Sequence, residues 1–257
     1  MRKKNCFQIK ILNQIVYPKM GEELSDCQDA LEANCDNNRF SVADGVSRSF
    51  YPAIFAQKLS HFFCHSDDPV NSNLFESENW EKWLGVCQQQ WLYDVQQLVE
   101  KSNKYYIRNR FNSNEHAGAT FAGIEFYQKN QSIYWDAMII GDSCLIHFDK
   151  PNHQTNSYLM HSSKDFNFTP QYFPSRFVKD NPFKPEFLIK KSASKEDIFI
   201  IATDAISKWL LMLIEKTKSD VASIAQKISE KAVDKFRTKN TFPIENDDIA
   251  LLVIQIV

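Results

Sequence analysis

Carboxylates are the residues whose placement in this chain could do chemistry. Four apolar runs each meet an aspartate at one end: Arg39-Phe-Ser-Val-Ala-Asp44-Gly45, Ala137-Met-Ile-Ile-Gly-Asp142-Ser143, Asp197-Ile-Phe-Ile-Ile-Ala-Thr-Asp204 and Asp247-Asp248-Ile-Ala-Leu-Leu-Val-Ile-Gln-Ile-Val257. In three the acid follows a strand-like stretch, and in the fourth an acidic pair precedes one. Laid side by side, such strands can crowd carboxylates at one end of a sheet, which is electrostatically costly without counter-charge. A divalent cation held through oxygen is the usual solution, because all-oxygen donors select hard cations. Two such cations roughly 3.5–4 Å apart can share a water and lower its pKa, which makes a nucleophile without a Cys or Ser. Any one of these acids alone is an ordinary turn former. The ordered set is what points to chemistry.

The elements that must position them follow from periodicity. Residues 7–17 read as a strand, Ala30 to Ala33 and Phe40 to Ala43 as two more, with a turn at Asp36-Asn37-Asn38. Pro52 opens a helix carrying Ile54, Phe55, Leu59, Phe62 and Phe63 at helical spacing. Residues 65–79 read as an exposed loop, and a long helix from Trp80 to Lys104 carries a Trp/Leu/Val stripe that reads as core. Strands return at Gly118–Gln128 and Ser132–Ile140 around a Lys129-Asn130-Gln131 turn, then at Leu145–Phe148. Residues 149–185, with five prolines, read as irregular. Ile198–Ala202 is strand, Ala205–Glu215 and Asp220–Phe236 are helices, and the stretch after Asp248 is strand. Strands, two helices, strands, two helices and a strand predict antiparallel sheets with helices outside rather than βαβ units.

Composition bounds the rest. A chain of 257 residues is long enough for one large domain. A net charge of −2 excludes a general nucleic-acid coat, which needs a basic balance. No run reaches membrane-span length, and the start Met1 to Gln8 is no signal-peptide core. The six cysteines, Cys6, Cys27, Cys35, Cys64, Cys87 and Cys144, form no Cys-x-x-Cys pair and read as reduced thiols of a cytoplasmic protein. His61 and His65 lie one helical turn apart but lack the acids of a zincin motif, and read as surface residues. The basic stretch Lys231 to Lys239 reads as a solvated helix face.

Taken in order, Cys27-Gln28-Asp29-Ala30, Val42-Ala43-Asp44-Gly45, Gly118-Ala119-Thr120 with Gly141-Asp142-Ser143, and Ala202-Thr203-Asp204-Ala205 with Asn246-Asp247-Asp248-Ile249-Ala250 resemble the metal-dependent type-2C protein phosphatase family. The resemblance spans residues 28–254. It implies an α+β fold, a four-layer αββα sandwich of two antiparallel sheets flanked by helix pairs. Residues 1–257 would form one such domain, with 149–185 as its variable flap-like segment. It further implies two Mn²⁺ or Mg²⁺ ions. Asp44 would bridge both and the Gly45 carbonyl would ligate one. Asp204 and Asp247 would hold the other, with Asp248 the alternative ligand one residue on. Asp29 would contact metal-bound water, and Asp142 with Asp204 would hold a weaker third ion. Asp44 and Asp204 would be catalytic through that metal-bound water.

The sequence departs from the family pattern at several positions. Val46-Ser47-Arg48-Ser49 replaces the usual small residue and Gly-Gly, and the histidine proposed as general acid in some members is absent. Leu24 occupies the region of the phosphate-binding arginine, leaving Lys19 and Arg48 as candidate replacements. The family's Ser-Asp-Gly becomes Thr203-Asp204-Ala205, so the turn must tolerate a Cβ. The function implied is hydrolysis of phosphoserine and phosphothreonine, with a phosphorylated protein as substrate, a cognate Ser/Thr kinase as a further partner, and no nucleic acid or membrane. The alternatives are a catalytically weak module that binds a phosphoprotein or regulates a kinase, and a hydrolase of small phosphoesters.

Overall fold

The longest apolar stretches of the sequence are buried on both faces, and they set the architecture. The computed structural model describes residues 7–65, 74–75, 79–166, 169–177, 183–217, 220–239 and 241–257. Among these, the strands are β1 (Ile9–Tyr17), β2 (Asp29–Asn34), β3 (Arg39–Gly45), β4 (Gly118–Lys129), β5 (Ser132–Ile140), β6 (Cys144–Asp149), β7 (Gln154–Tyr158), β8 (Phe173–Pro174), β9 (Glu186–Ala193), β10 (Ile198–Ala202) and β11 (Ile249–Ile256). The helices are α1 (Pro52–His65), α2 (Asn79–Lys101), α3 (Tyr105–Asn112), α4 (Asp204–Lys216), α5 (Val221–Lys227) and α6 (Glu230–Arg237).

One sheet has the order β1-β11-β10-β6-β7 and the other β2-β3-β4-β5-β9, with β8 paired to the start of β4. Every pairing is antiparallel. Along β11, Ala250, Leu252, Ile254 and Ile256 enter the core between the sheets, while Ile249, Leu251 and Val253 face α4 and α5. That double burial is why the run shows no polar alternation. On β3, Phe40 and Val42 point between the sheets and Ala43 points to α1 and α2. The expected αββα sandwich is therefore the observed one.

The helix pair over the second sheet is locked by aromatic rings. Phe121 of β4 lies 5.4 Å from Phe63 of α1 and 5.4 Å from Trp83 of α2, centroid to centroid. On α2 the buried stripe is Trp83, Leu84, Cys87, Trp91, Val95 and Val99, narrower than expected, since Val86, Leu92 and Leu98 are exposed.

Several expectations need correction. The 65–79 stretch lies largely outside the described residues, but its Leu74 is fully buried rather than exposed. The long helix ends at Lys101, and a separate α3 follows it. That helix has no fully buried residue and packs on the core only through the half-buried Ile107 and Phe111, a signal too short to separate it from α2. The 149–185 segment contains β7 and β8, and β9 follows it. β7 and β9 are edge strands, and β9 buries only Leu188 fully, so polar side chains mask the strand pattern. The single helix expected over Asp220–Phe236 is two, broken at Ile228-Ser229. Asn13, at an irregularity in β1, donates its side-chain N–H groups to the Ala225 and Ile228 carbonyls, satisfying groups that the break leaves without helical partners. The five described cysteines are free, and Cys6 lies outside the described residues.

The ring cluster gives a direct test. Phe121→Ala should cost about 3–5 kcal/mol, because the transfer free energy and the cavity left among Phe63, Trp83 and Phe173 add. Urea unfolding measures it, and a loss below about 1 kcal/mol would mean that α1 and α2 do not depend on this contact.

Candidate metal centre

Strand register delivers the aspartates to one end of the sandwich. Asp29 opens β2 and is the cross-strand partner of Asp44 near the end of β3, and Asp44 in turn faces Thr120 near the start of β4. Phe121 pairs with Ile140, so β5 ends at the same edge and hands the chain to Gly141-Asp142-Ser143. In the other sheet Ala202 pairs with Leu251 and with Cys144, so the end of β10, the start of β11 and the start of β6 coincide. Asp204 follows β10 and Asp247 precedes β11.

Local chemistry fixes each turn. Gly141 sits at φ +89°, and a Cβ there would come 2.5 Å from Thr120 Cγ2 and 2.6 Å from the Gln171 carbonyl, so only glycine fits. The buried Thr120 and Ser143 hydroxyls share a 2.8 Å hydrogen bond that ties β4 to this turn. A Cβ on Gly45 would come 2.9 Å from both the Gln28 carbonyl and Pro52 Cβ, so glycine lets the loop before β2 approach α1 closely. Thr203 joins the sheets' strands at this end: its N–H donates to the Ala250 carbonyl at 3.0 Å, and its hydroxyl oxygen accepts the Ala250 N–H at 2.9 Å. The Cβ expected to burden the turn after Asp204 is harmless, because Asp204 and Ala205 already belong to α4. The Ala205 N–H donates to Asp204 Oδ1 at 2.6 Å.

The carboxyls feel one another. Burial pushes Asp29 well above the usual carboxylate range, against a hydrogen bond from Thr203, with Asp204 and Asp248 adding to the rise. Burial does the same to Asp44, helped by Asp29, Asp204 and Asp142. Burial raises Asp142 to about 6, with Asp247 contributing. Burial, then Asp142 and Asp247, raise Asp204 to about 7. Asp29 Oδ2 and Asp142 Oδ1 are buried without any hydrogen-bond partner. Orphaned carboxylate oxygens in an all-oxygen cluster are what a hard cation would satisfy, so these residues fit one. They share one end of the sandwich without three of their donor atoms closing to 4.8 Å: among the described residues, the trio whose donor atoms lie that close to one another is Glu32, His61 and His65, elsewhere in the fold.

The sequence-predicted residues divide by what holds them. Asp248 is buried and accepts the Lys19 N–H at 2.9 Å and the Gln28 N–H at 2.8 Å, so both oxygens anchor loops. Asp247 accepts only its neighbour's N–H, at 2.9 Å, among the hydrogen bonds of its carboxylate, and acts on Asp142 and Asp204. Lys19 stands at this rim. Burial works against its charge, yet Asp248, Glu22 and Asp247 raise its pKa, and its ammonium pairs with Glu22 at 3.4 Å. Arg48 is exposed at φ +69°, with its carbonyl accepting from Arg110 Nη2 at 3.3 Å, and it makes no ion pair with the described aspartates.

Sequence reasoning missed Arg237. Read as part of a solvated face, it is buried, donating to the Pro18 carbonyl at 2.9 Å and to the Asp247 carbonyl, with its guanidinium 5.4 Å from the Tyr17 ring. The available signal was its place one turn after the buried Val233.

No protein-family model and no curated sequence matches the chain. Solved structures do. The catalytic domain of the serine/threonine protein phosphatase PstP, in complex with two manganese ions, is 12% identical with a TM-score of 0.56, covering 98% of this chain and 99% of that one. PppA, a regulatory component of the type VI secretion system in Pseudomonas aeruginosa, is 12% identical with a TM-score of 0.58, covering 97% and 98%. A C. elegans sex determining protein is 12% identical at a TM-score of 0.50, covering 99% and 66%. The chain has the type-2C phosphatase fold, as the resemblance implied.

A carboxyl raised on folding keeps its proton longer in the folded than in the unfolded chain. The folded state is therefore penalised as pH climbs from the ordinary 3.8 toward about 7, where Asp204 ionises. In chelator, the urea midpoint should fall across that window. A midpoint rising from pH 5 to about 7 would contradict this placement of buried, like-charged acids.

Proposed function

We propose that the chain is a divergent member of the type-2C phosphatase family, one domain over residues 1–257, that hydrolyses phosphoserine and phosphothreonine in proteins with Mn²⁺ or Mg²⁺. The observation that carries this reading is the convergence of Asp29, Asp44, Asp142, Asp204 and Asp247 at one end of a type-2C fold, with two of their buried oxygens unsatisfied. Asp44, the Gly45 carbonyl, Asp204 and Asp247 would hold two ions, and Asp142 with Asp204 a third. Such ions supply Lewis acidity and neutralise charge developing on a transferring phosphoryl group.

The chain's own residues do the positioning. Asp248 fixes the backbones of Lys19 and Gln28, and so aligns the loop that carries Asp29 with the start of β11. Arg237 holds the Asp247 carbonyl and thereby orients the Asp247 carboxylate toward the cluster. Lys19, at the rim, is the nearer of the two candidate phosphate partners on the strength of its coupling to Asp247 and Asp248. No thiol serves as nucleophile in this reading. Burial raises Cys27 and Cys64 to about 12 and Cys144 to about 11, so these stay protonated. This reading places the protein in the cytoplasm; the five described cysteines are free.

The second reading, a module that binds a phosphoprotein or regulates a kinase, is favoured by one observation. Val46-Ser47-Arg48 brings no imidazole or paired glycines after Asp44-Gly45, and Arg48 is turned to solvent.

Turnover of phosphothreonine peptides with added Mn²⁺, in the chain and in Asp44→Asn, decides between the two. The substitution removes ligand charge at constant volume, so activity should fall by about a thousandfold or more while the fold persists. Equal turnover by chain and variant at saturating Mn²⁺ would overturn the ligand assignment. No turnover by the chain itself would favour the binding module.

A further inference from the structure

Apart from the aspartate end, two histidines and a glutamate meet where α1 packs on the edge strand β2. On β2 the residues Ala30, Glu32 and Asn34 alternate toward α1. On α1, His61 and His65 are one turn apart and present their rings to the same spot, stacked at 4.9 Å with 27° between planes. Glu32 sits against both: Oε2 is 3.0 Å from His65 Nε2 and Oε1 is 3.7 Å from His61 Nδ1. The acid that the sequence reading found missing beside the two histidines is thus supplied from 29 positions upstream of His61, across the sheet–helix packing.

The geometry points to a cation site of two imidazoles and a carboxylate, for a borderline transition-metal ion such as Zn²⁺. Tetrahedral bonds of about 2.0–2.1 Å place donor atoms about 3.4 Å apart. One donor atom from each of the three residues lies within 4.8 Å of the other two, so side-chain rotations would draw them to that spacing. Imidazole nitrogen disfavours Mg²⁺ and favours Zn²⁺, Co²⁺ and Cu²⁺, so this site would not take up Mg²⁺. The side chains keep 54%, 37% and 35% of their surface exposed for His61, His65 and Glu32, leaving a fourth position open to solvent. Cys64 is adjacent but outside the donor set: it is buried, raised to about 12, and directs its thiol to the Glu32 carbonyl and Ser41.

The neighbourhood makes a sharp statement about protons. His65 Nδ1 lies 3.1 Å from Asn34 Nδ2, and that amide is fixed, because it also donates to the Cys64 carbonyl while Asn34 Oδ1 accepts the Asp36 and Asn37 N–H groups. Without metal, Nδ1 accepts from Asn34, and the His65 proton sits on Nε2 facing Glu32. Ligation through Nε2 requires the other neutral tautomer, so the ring proton moves from Nε2 to Nδ1, where the new N–H faces the Asn34 amide N–H. Asn34 therefore works against the metal-bound tautomer. A carboxylate at that position would accept the Nδ1 proton and reverse the effect, as second partners of metal-binding histidines do.

The test is Zn²⁺ titration by calorimetry of the full chain beside its histidine variants, so that uptake at the carboxylate end cancels in the comparison, alongside the visible absorption of Co²⁺ in place of Zn²⁺. The chain should take up one Zn²⁺ that the His61→Ala/His65→Ala variant does not, with tetrahedral Co²⁺ bands lost in the same variant. Asn34→Asp should tighten that binding by about tenfold or more. His61→Ala alone, at the most exposed of the three side chains, should also lose the site and guards against a folding defect in the double variant. Equal Zn²⁺ uptake by the chain and both histidine variants would overturn the proposal, as would absence of any such uptake in the chain.

Discussion

Carboxylates crowded at one sheet end, Asp29 and Asp142 buried and Asp44, Asp204 and Asp247 half-buried, are the constraint on which this fold turns. Two antiparallel sheets are stacked so that β2, β3, β4, β5, β10 and β11 all meet one edge at their acidic turns. Strand pairing fixes where Asp29, Asp44, Asp142, Asp204 and Asp247 stand, and the cores on either side of each strand fix the pairing. The result is a patch where burial and like charge both disfavour ionisation. A protein does not ordinarily retain so costly an arrangement without something to neutralise it, and that cost is the physical ground for proposing a cation-dependent function.

The surrounding structure reads as scaffolding for that patch. Gly45 and Gly141 permit backbone approaches that a Cβ would block. Asp248 and Arg237 are both buried ionic groups, and both bond to backbone rather than to each other. They hold the loop after β1, the loop before β2 and the entry to β11 in one relative position. Such charged hydrogen bonds to backbone are among the stronger single contacts, roughly 1.5–3 kcal/mol each, which suits groups that must resist the repulsion next to them.

Much of this was legible in the sequence, for identifiable reasons. β3, β10 and β11 are buried on both faces and announce themselves as apolar runs, and the aspartates are visible because they end those runs. The β4–β5 hairpin shows through its turn at Asn130-Gln131, both at positive φ. What stayed hidden depends on partners distant in sequence. β7 and β9 are polar because they are edges. The break between α5 and α6 is stabilised by Asn13, more than two hundred residues away. Arg237 looks like one more basic residue until the Pro18 and Asp247 carbonyls are beside it. Asp247 and Asp248 are indistinguishable as letters; only the backbone N–H groups of Lys19 and Gln28 mark the second as an anchor.

Crystals grown with Mn²⁺ and measured at the manganese absorption edge give the most direct test. Anomalous peaks should fall among Asp44, Asp204 and Asp247, two of them separated by roughly 3.5–4 Å. A chain that crystallises in saturating Mn²⁺ with no anomalous peak at this end of the sandwich would contradict the claim that the crowded aspartates exist to hold cations.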